Sequence, residues 1–165
     1  MSQRLEILIG QYERMRRYTL MVLDHTDRAR WFEFTPGCPT HVGWQVGHMS
    51  WQQGIHALRT VGGQATIEPM PESWHGLFGK GSVAVADAKV YPSPEEMMAT
   101  FTATYERTMQ VLGKLPDAVL DEPASHPTGL VRHKLDLLYF LMRAESIHTG
   151  QIGLMRRLFG AGPYR

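Results

Sequence analysis

Four long stretches of the chain place apolar residues three and four positions apart, and this spacing constrains the fold more than any other feature. The stretches cover residues 2–27, 40–61, 93–114 and 131–159. Side chains at these intervals lie on one face of an α-helix, and that face is stable only when it is buried against a partner. No stretch has the pattern of a credible strand. The sequence therefore predicts an all-α fold, a four-helix bundle.

Proline, glycine and capping residues predict where the helices begin and end. Thr40 is the expected N-cap of the second helix, and Gly62 with Gly63 ends it. Residues 93–96 (SPEE) combine an N-cap serine, a proline at the first helical position and a glutamate three residues after the cap. Pro116 stops the third helix, and residues 115–122 are expected to form one further turn.

A long connection, residues 63–92, separates the second and third helices. Glycine and proline interrupt it repeatedly, so we expect little regular structure beyond one helical turn near residues 71–78. Loops of this length in compact domains are often functional or interfacial. Two interpretations are open: Trp74, His75, Leu77 and Phe78 cover the open end of a bundle cavity, or the loop packs its own aromatic residues against the bundle side.

Composition and charge limit the classes of protein and partner. With 165 residues, 43% hydrophobic and 20% charged, the chain suits a single globular domain covering residues 1–165. A net charge of +1 without a basic run gives little reason to expect nucleic-acid binding. No apolar stretch is long enough for a membrane span or a signal peptide, so we expect a cytoplasmic protein without a membrane partner. Cys38 is the only cysteine, which excludes an intramolecular disulfide.

Two histidines far apart in the sequence, His48 and His148, are predicted to face the interior of the bundle. Bundles build metal and cofactor sites in this way, because facing helices hold ligands at a fixed separation. A hydrogen-bonded structural role for each histidine is the alternative. The predicted neighbours on the same helix faces are Trp44, Gln45, Trp51, Gln52 and Ile55 for His48, and Leu137, Leu141, Ala144, Ile152 and Met155 for His148.

A catalytic metal site needs about three protein ligands, so a third side chain has to be found. One turn before His148 the residue is Ala144, which cannot coordinate a metal. Glu145, at the border of the same helix face, could reach the site; alternatively it pairs with Arg143 or with a residue of a neighbouring helix. His56 is eight residues beyond His48, too far along the helix to share one ion easily. Spacing does not choose among His75, His126 and His133. Arg14, Arg16 and Arg17 are expected mostly outside the apolar face of the first helix.

Three parts of the sequence resemble the DinB-like superfamily, which also contains bacillithiol S-transferases and mycothiol-dependent maleylpyruvate isomerase. They are residues 44–49 (WQVGHM), residues 77–82 (LFGKGS) with 91–93 (YPS), and residues 145–152 (ESIHTGQI). The resemblance implies a bundle of up-down-down-up order, frequent homodimers and a divalent metal, zinc or nickel, held by three side chains. Two of these positions fall on His48 and His148, and the third, ordinarily His or Glu, falls on Ala144.

Two functions follow from this resemblance. In the first, the protein is a degenerate member with an incomplete metal site, which binds a small molecule or serves a stress-associated role. In the second, a divalent metal held by His48, His148 and Glu145 supports an enzyme such as a thiol-dependent S-transferase or isomerase. The expected partner is accordingly a small-molecule ligand or a thiol cosubstrate.

Overall fold

The computed structural model describes residues 2–163, and these residues form helices and loops without a named strand. Residue 1 and residues 164–165 of the expected domain lie outside the described part. The α-helices are α1 Gln3–Asp24, α2 Val42–Gln53, α3 Trp74–Phe78, α4 Pro94–Leu112 and α5 Lys134–Leu158. A π-helix, Gly54–Val61, continues α2, and short 3-10 turns lie at Arg28–Arg30, Ala88–Val90 and Asp117–Asp121. The predicted all-α bundle of four long helices is confirmed.

Contacts between the long helices give their directions. Helix α1 runs parallel to α5 and antiparallel to α4, while α2 runs antiparallel to α5. The order is therefore up-down-down-up for α1, α2, α4 and α5. The pairs that establish it are Arg16 with Glu145 and Thr19 with Thr149 (α1, α5), Tyr12 with Tyr105 and Arg16 with Phe101 (α1, α4), and Gln45 with His148 and His56 with Phe140 (α2, α5).

The helix ends follow the predicted capping chemistry in α4 but not in α2. In α4 the Ser93 hydroxyl accepts from the Glu96 backbone N–H at 3.2 Å, and the Glu96 carboxylate accepts from the Ser93 N–H at 2.8 Å. The prediction of Thr40 as the cap of α2 is wrong. His41 is the N-cap, because its Nδ1 accepts the Trp44 N–H at 3.0 Å and its backbone is extended. Thr40 instead accepts a hydrogen bond from the Gln45 side chain.

The second helix reaches Val61 as expected, but its last turns are π-helical instead of α-helical. The wider winding appears in hydrogen bonds that span five residues, such as the one from the Gly62 N–H to the Ala57 carbonyl at 2.9 Å. Residues five apart lie closer to one face in a π-helix than in an α-helix. As a result the His56 ring contacts the Trp51 ring, with centroids 6.4 Å apart.

The long connection packs against α2 at a glycine. An added Cβ at Gly47 would lie 2.4 Å from the ring of Phe78, which is fully buried, so only glycine permits this approach. Helix α3 is thereby held against the middle of α2 and next to His48. Within the described residues, no helix is both long and apolar enough to cross a membrane.

Candidate functional site

His48 on α2 and His148 on α5 meet where these antiparallel helices pack together. Their ring centroids are 5.0 Å apart and the planes are inclined at 72°. His48 is buried, with 9% of its surface exposed, and His148 is half-buried. The two imidazoles that the sequence singled out therefore share one site.

Hydrogen bonds fix the position of the proton on both rings. Nδ1 of His48 lies 2.6 Å from the carbonyl oxygen of Phe78, and Nδ1 of His148 is hydrogen-bonded to the side-chain oxygen of Gln45. The Gln45 amide nitrogen donates to the Thr40 hydroxyl, and the amide oxygen faces His148. Because both partners are acceptors, Nδ1 carries the hydrogen in each neutral ring. Each Nε2 therefore keeps a lone pair.

Two indole rings hold His48 in place. Trp44 stacks on it at 4.5 Å and Trp51 at 5.5 Å, with interplanar angles of 13° and 22°. The indole N–H of Trp44 donates to Ser82, and that of Trp51 donates to Nδ1 of His75. The connection between α2 and α4 thus fixes both indoles as well as Nδ1 of His48.

Burial keeps both imidazoles neutral at ordinary pH. It lowers the pKa of His48, although the hydrogen bond to Phe78 opposes the shift. Burial, together with the nearby His48, lowers the pKa of His148 to about 4, against an opposing hydrogen bond with Gln151. Neutral imidazole is the form that accepts a hydrogen bond or binds a metal.

Glu145, the third predicted ligand, faces α1 and pairs with Arg16. One of its carboxylate oxygens accepts from Nε of Arg16 at 2.9 Å and from the Thr19 hydroxyl at 2.9 Å, and the other accepts from a terminal nitrogen of Arg16 at 3.1 Å. Both members of this ion pair are 3% exposed. The alternative that Glu145 pairs with a residue of a neighbouring helix is therefore confirmed, with Arg16 of α1 as the partner. Its expected position at the border of the helix face is wrong, because the pair lies inside the core.

The prediction that Arg16 lies outside the apolar face of α1 is wrong. Its guanidinium lies over the Phe101 ring at 3.7 Å and donates to Gln53 and to the Phe101 carbonyl. The signal was present in the sequence, since Tyr12, Arg16 and Thr19 continue the stripe of Leu5 and Leu8 at helical intervals. Because arginine is charged, it was assigned to the polar face of the helix.

The side chains at this site do not form a complete three-ligand metal centre. His48 and His148 present suitable nitrogens, but position 144 is a buried alanine and the Glu145 carboxylate is held by Arg16. Across residues 2–163, no three or more His, Cys, Asp or Glu side chains are grouped so that they could hold one ion. Metal binding by His48, His148 and Glu145 stays a prediction.

Further rings that sequence spacing could not select continue the site along α2. His56 lies 5.3 Å from His126, and Phe140 lies 4.0 Å from His126 and 5.9 Å from His56. His75 joins them through Trp51, at 5.5 Å. The π-helical turn accounts for His56, α3 supplies His75, and the loop before α5 supplies His126.

Residues 11–152 match the family model described as the DinB superfamily, which covers most of the chain. A search of curated proteins finds no match.

Proposed function

Because the chain belongs to the DinB superfamily and carries alanine where the third metal ligand is expected, we propose that it is a member with an incomplete metal site that binds a small organic molecule. In this proposal the His48–His148 pair accepts hydrogen bonds from the ligand through the two Nε2 atoms. Hydroxyl, thiol and amine groups are the donors that suit two neutral imidazoles. The indoles of Trp44 and Trp51 supply the apolar surface beside them.

The observation that carries this proposal is the pairing of Glu145 with Arg16. For Glu145 to coordinate a metal beside His148, it would have to leave a buried guanidinium without its counter-charge. Breaking a buried ion pair in this way costs about 3–5 kcal/mol. Coordination by two imidazoles would then have to offset this cost and also compete with water for the ion. Small-molecule binding needs no such rearrangement.

A second candidate is a divalent-metal-dependent enzyme, such as a thiol-dependent S-transferase or isomerase. One observation favours it: both histidines donate Nδ1–H to an oxygen, which leaves the lone pair on Nε2. Histidines that bind metals are commonly oriented by such hydrogen bonds. A bound divalent ion would lower the pKa of the thiol cosubstrate.

Metal content separates the two candidates. We expect protein purified without a histidine tag to contain much less than one equivalent of zinc or nickel, and added metal to raise the melting temperature by less than about 1 °C. One equivalent of metal that is lost in both His48→Gln and His148→Gln, but kept in the exposed-histidine control His25→Gln, would instead establish the metal-dependent enzyme.

Binding itself is tested with phenol, a planar molecule with one hydroxyl donor. We expect a titration followed by NMR to shift the ring signals of His48 and His148, and to shift them in His25→Gln as well. A titration that leaves both rings unperturbed at millimolar phenol would contradict the proposal.

A further inference from the structure

A cavity of about 290 Å³ lies between α1 and the last turns of α5, and two arginines line it. Its walls include Tyr18 of α1, Arg156 and Arg157 of α5, and Pro163 from the segment after that helix. The volume is near the lower end of the range for small-molecule sites, about 300–1,000 Å³. None of the described residues that line it belongs to the histidine site, so the cavity is a separate place on the molecule.

Contacts between the two helices hold Arg156 in place. Arg156 is 6% exposed, and its Nε donates to the carbonyl oxygen of His25 at 2.8 Å. Its own carbonyl oxygen accepts from the Ala161 N–H at 3.2 Å, which fixes the backbone where α5 ends. The chain can turn back there because Gly160 has a φ of 90°, a left-handed conformation that favours glycine. One wall of the cavity is therefore a buried guanidinium that is positioned before any ligand binds.

The charges around the cavity are positive. Arg157 is exposed, and within residues 2–163 no ion pair joins it to a carboxylate. Among the described residues that line the cavity, none is acidic. A neighbouring cavity shares Tyr18 and is lined by Arg14 and Arg143, again without an acidic residue in the part of the chain that the structure describes. Four arginines along the groove between α1 and α5 produce a positive potential, which attracts anions.

A glycine keeps the cavity open. Gly150 lines it, and an added Cβ at this position would meet no other part of the structure within 4 Å. Because Gly150 is exposed, a large side chain there would extend into the open space of the cavity instead of into the core. Position 150 therefore offers a way to fill the cavity without disturbing the packing of α5.

We propose that this cavity binds a phosphate monoester, with the phosphate group between Arg156 and Arg157. Guanidinium N–H groups match the oxygens of a phosphate in geometry, and a dianion gains more from two cations than a carboxylate does. The hydroxyl of Tyr18 supplies a further donor, and its half-exposed ring offers an apolar surface to the organic substituent. An organic cation is disfavoured by the two guanidinium groups.

Titrations with phenyl phosphate and with acetate, followed by the amide NMR signals of residues 149–157, test the proposal. The ionic strength is held constant, because salt screens exposed charges. We expect phenyl phosphate to bind with a Kd of about 1 mM, as two charge-assisted contacts imply. Acetate, with a single charge, should bind about tenfold more weakly.

Two variants with matched controls locate the binding. Arg157→Gln should weaken phenyl phosphate about fivefold, because one of the two guanidinium groups is lost. Arg132→Gln removes an exposed arginine before α5 and should have no effect. Gly150→Leu should weaken binding about tenfold by filling the cavity, whereas Gly150→Ala, which adds only one methyl group, should weaken it less than about threefold. The melting temperature of each variant verifies that it is folded.

Unchanged affinity in Arg157→Gln or in Gly150→Leu would overturn the inference, as would equal affinities for acetate and phenyl phosphate. Binding to vesicles that contain phosphatidic acid, without binding of free phenyl phosphate, would also overturn it, because the phosphate would then belong to a lipid surface. The inference does not depend on the function proposed above. His148→Gln should still bind phenyl phosphate, and Arg157→Gln should still bind phenol, so either proposal can fail alone.

Discussion

Arg16 and Glu145, which are 129 positions apart in the chain, form a buried ion pair between α1 and α5 with a nitrogen–oxygen distance of 2.9 Å. The pair fixes how α5 is rotated relative to α1. His148 is three residues beyond Glu145, about 60° around the helix, and in this rotation it faces Gln45 and His48 of α2. The contact therefore orients one member of the histidine pair, and it engages the Glu145 carboxylate with Arg16.

Glu145→Gln should destabilise the protein by about 3 kcal/mol, because Arg16 would keep its charge in the core without a carboxylate. Urea denaturation measures the effect. Glu13→Gln, which changes an exposed glutamate on α1, is the control and should shift stability by less than about 0.5 kcal/mol. If the two variants are equally stable, the buried pair does not have the role assigned to it.

Ala144→His should create a zinc site. Position 144 is one helical turn before His148 and is buried, so an imidazole there adds a third nitrogen to the pair. We expect zinc to raise the melting temperature of this variant by several degrees, since a ligand specific to the folded state stabilises it. Ala144→Gln introduces a side chain of similar length without imidazole and should not respond. No zinc response in Ala144→His would refute the proposed register of α5.

Gly47→Ala should disturb the packing of Phe78 against α2 and, through it, the hydrogen bond of His48. The added methyl group would overlap the buried Phe78 ring, and Phe78 also supplies the carbonyl that accepts from His48. We expect a loss of about 1–3 kcal/mol from overpacking, together with a shifted His48 signal in NMR. Gly76→Ala is the matched control, because an added Cβ at Gly76 would meet no other part of the structure within 4 Å. Equal stability of the two variants would show that α3 does not pack closely on Gly47.

Stability should fall as the pH is lowered from about 6.5 to about 4. Burial lowers the pKa of His148 and of His56 to about 4 in the folded protein, while in the unfolded chain both have a pKa near 6.5. Between these values the unfolded chain binds more protons, so the free energy of unfolding decreases with decreasing pH. His148→Gln should flatten this dependence by up to about 3 kcal/mol in urea titrations, since one pKa unit corresponds to about 1.4 kcal/mol. A dependence as steep as that of the wild type would contradict the low pKa of His148.

The sequence predicted the bundle, the capping of α4 and the meeting of His48 with His148, because these depend on helical periodicity and local hydrogen bonding. It missed the π-helical turn after Gln53, which moves His56 into contact with Trp51. Spacing at 3.6 residues per turn does not predict this displacement of His56.

The side-chain pairings around the site could not be predicted from the sequence either. The burial of Glu145 depends on Arg16, and the proton position on His75 depends on Trp51. Such pairings are set by tertiary packing between distant segments and leave no fixed spacing in the chain. His41 as the cap of α2 was missed for a different reason, because an imidazole nitrogen there replaces the usual side-chain oxygen.

The most direct test of the account is the proton position on the paired imidazoles, measured by long-range ¹H–¹⁵N NMR of the histidine rings near neutral pH. We predict that His48 and His148 are both neutral with the hydrogen on Nδ1, and that their ring protons show a mutual nuclear Overhauser effect. A hydrogen on Nε2 of either ring, or rings without mutual contact, would contradict the two Nε2 lone pairs on which the proposed binding site depends.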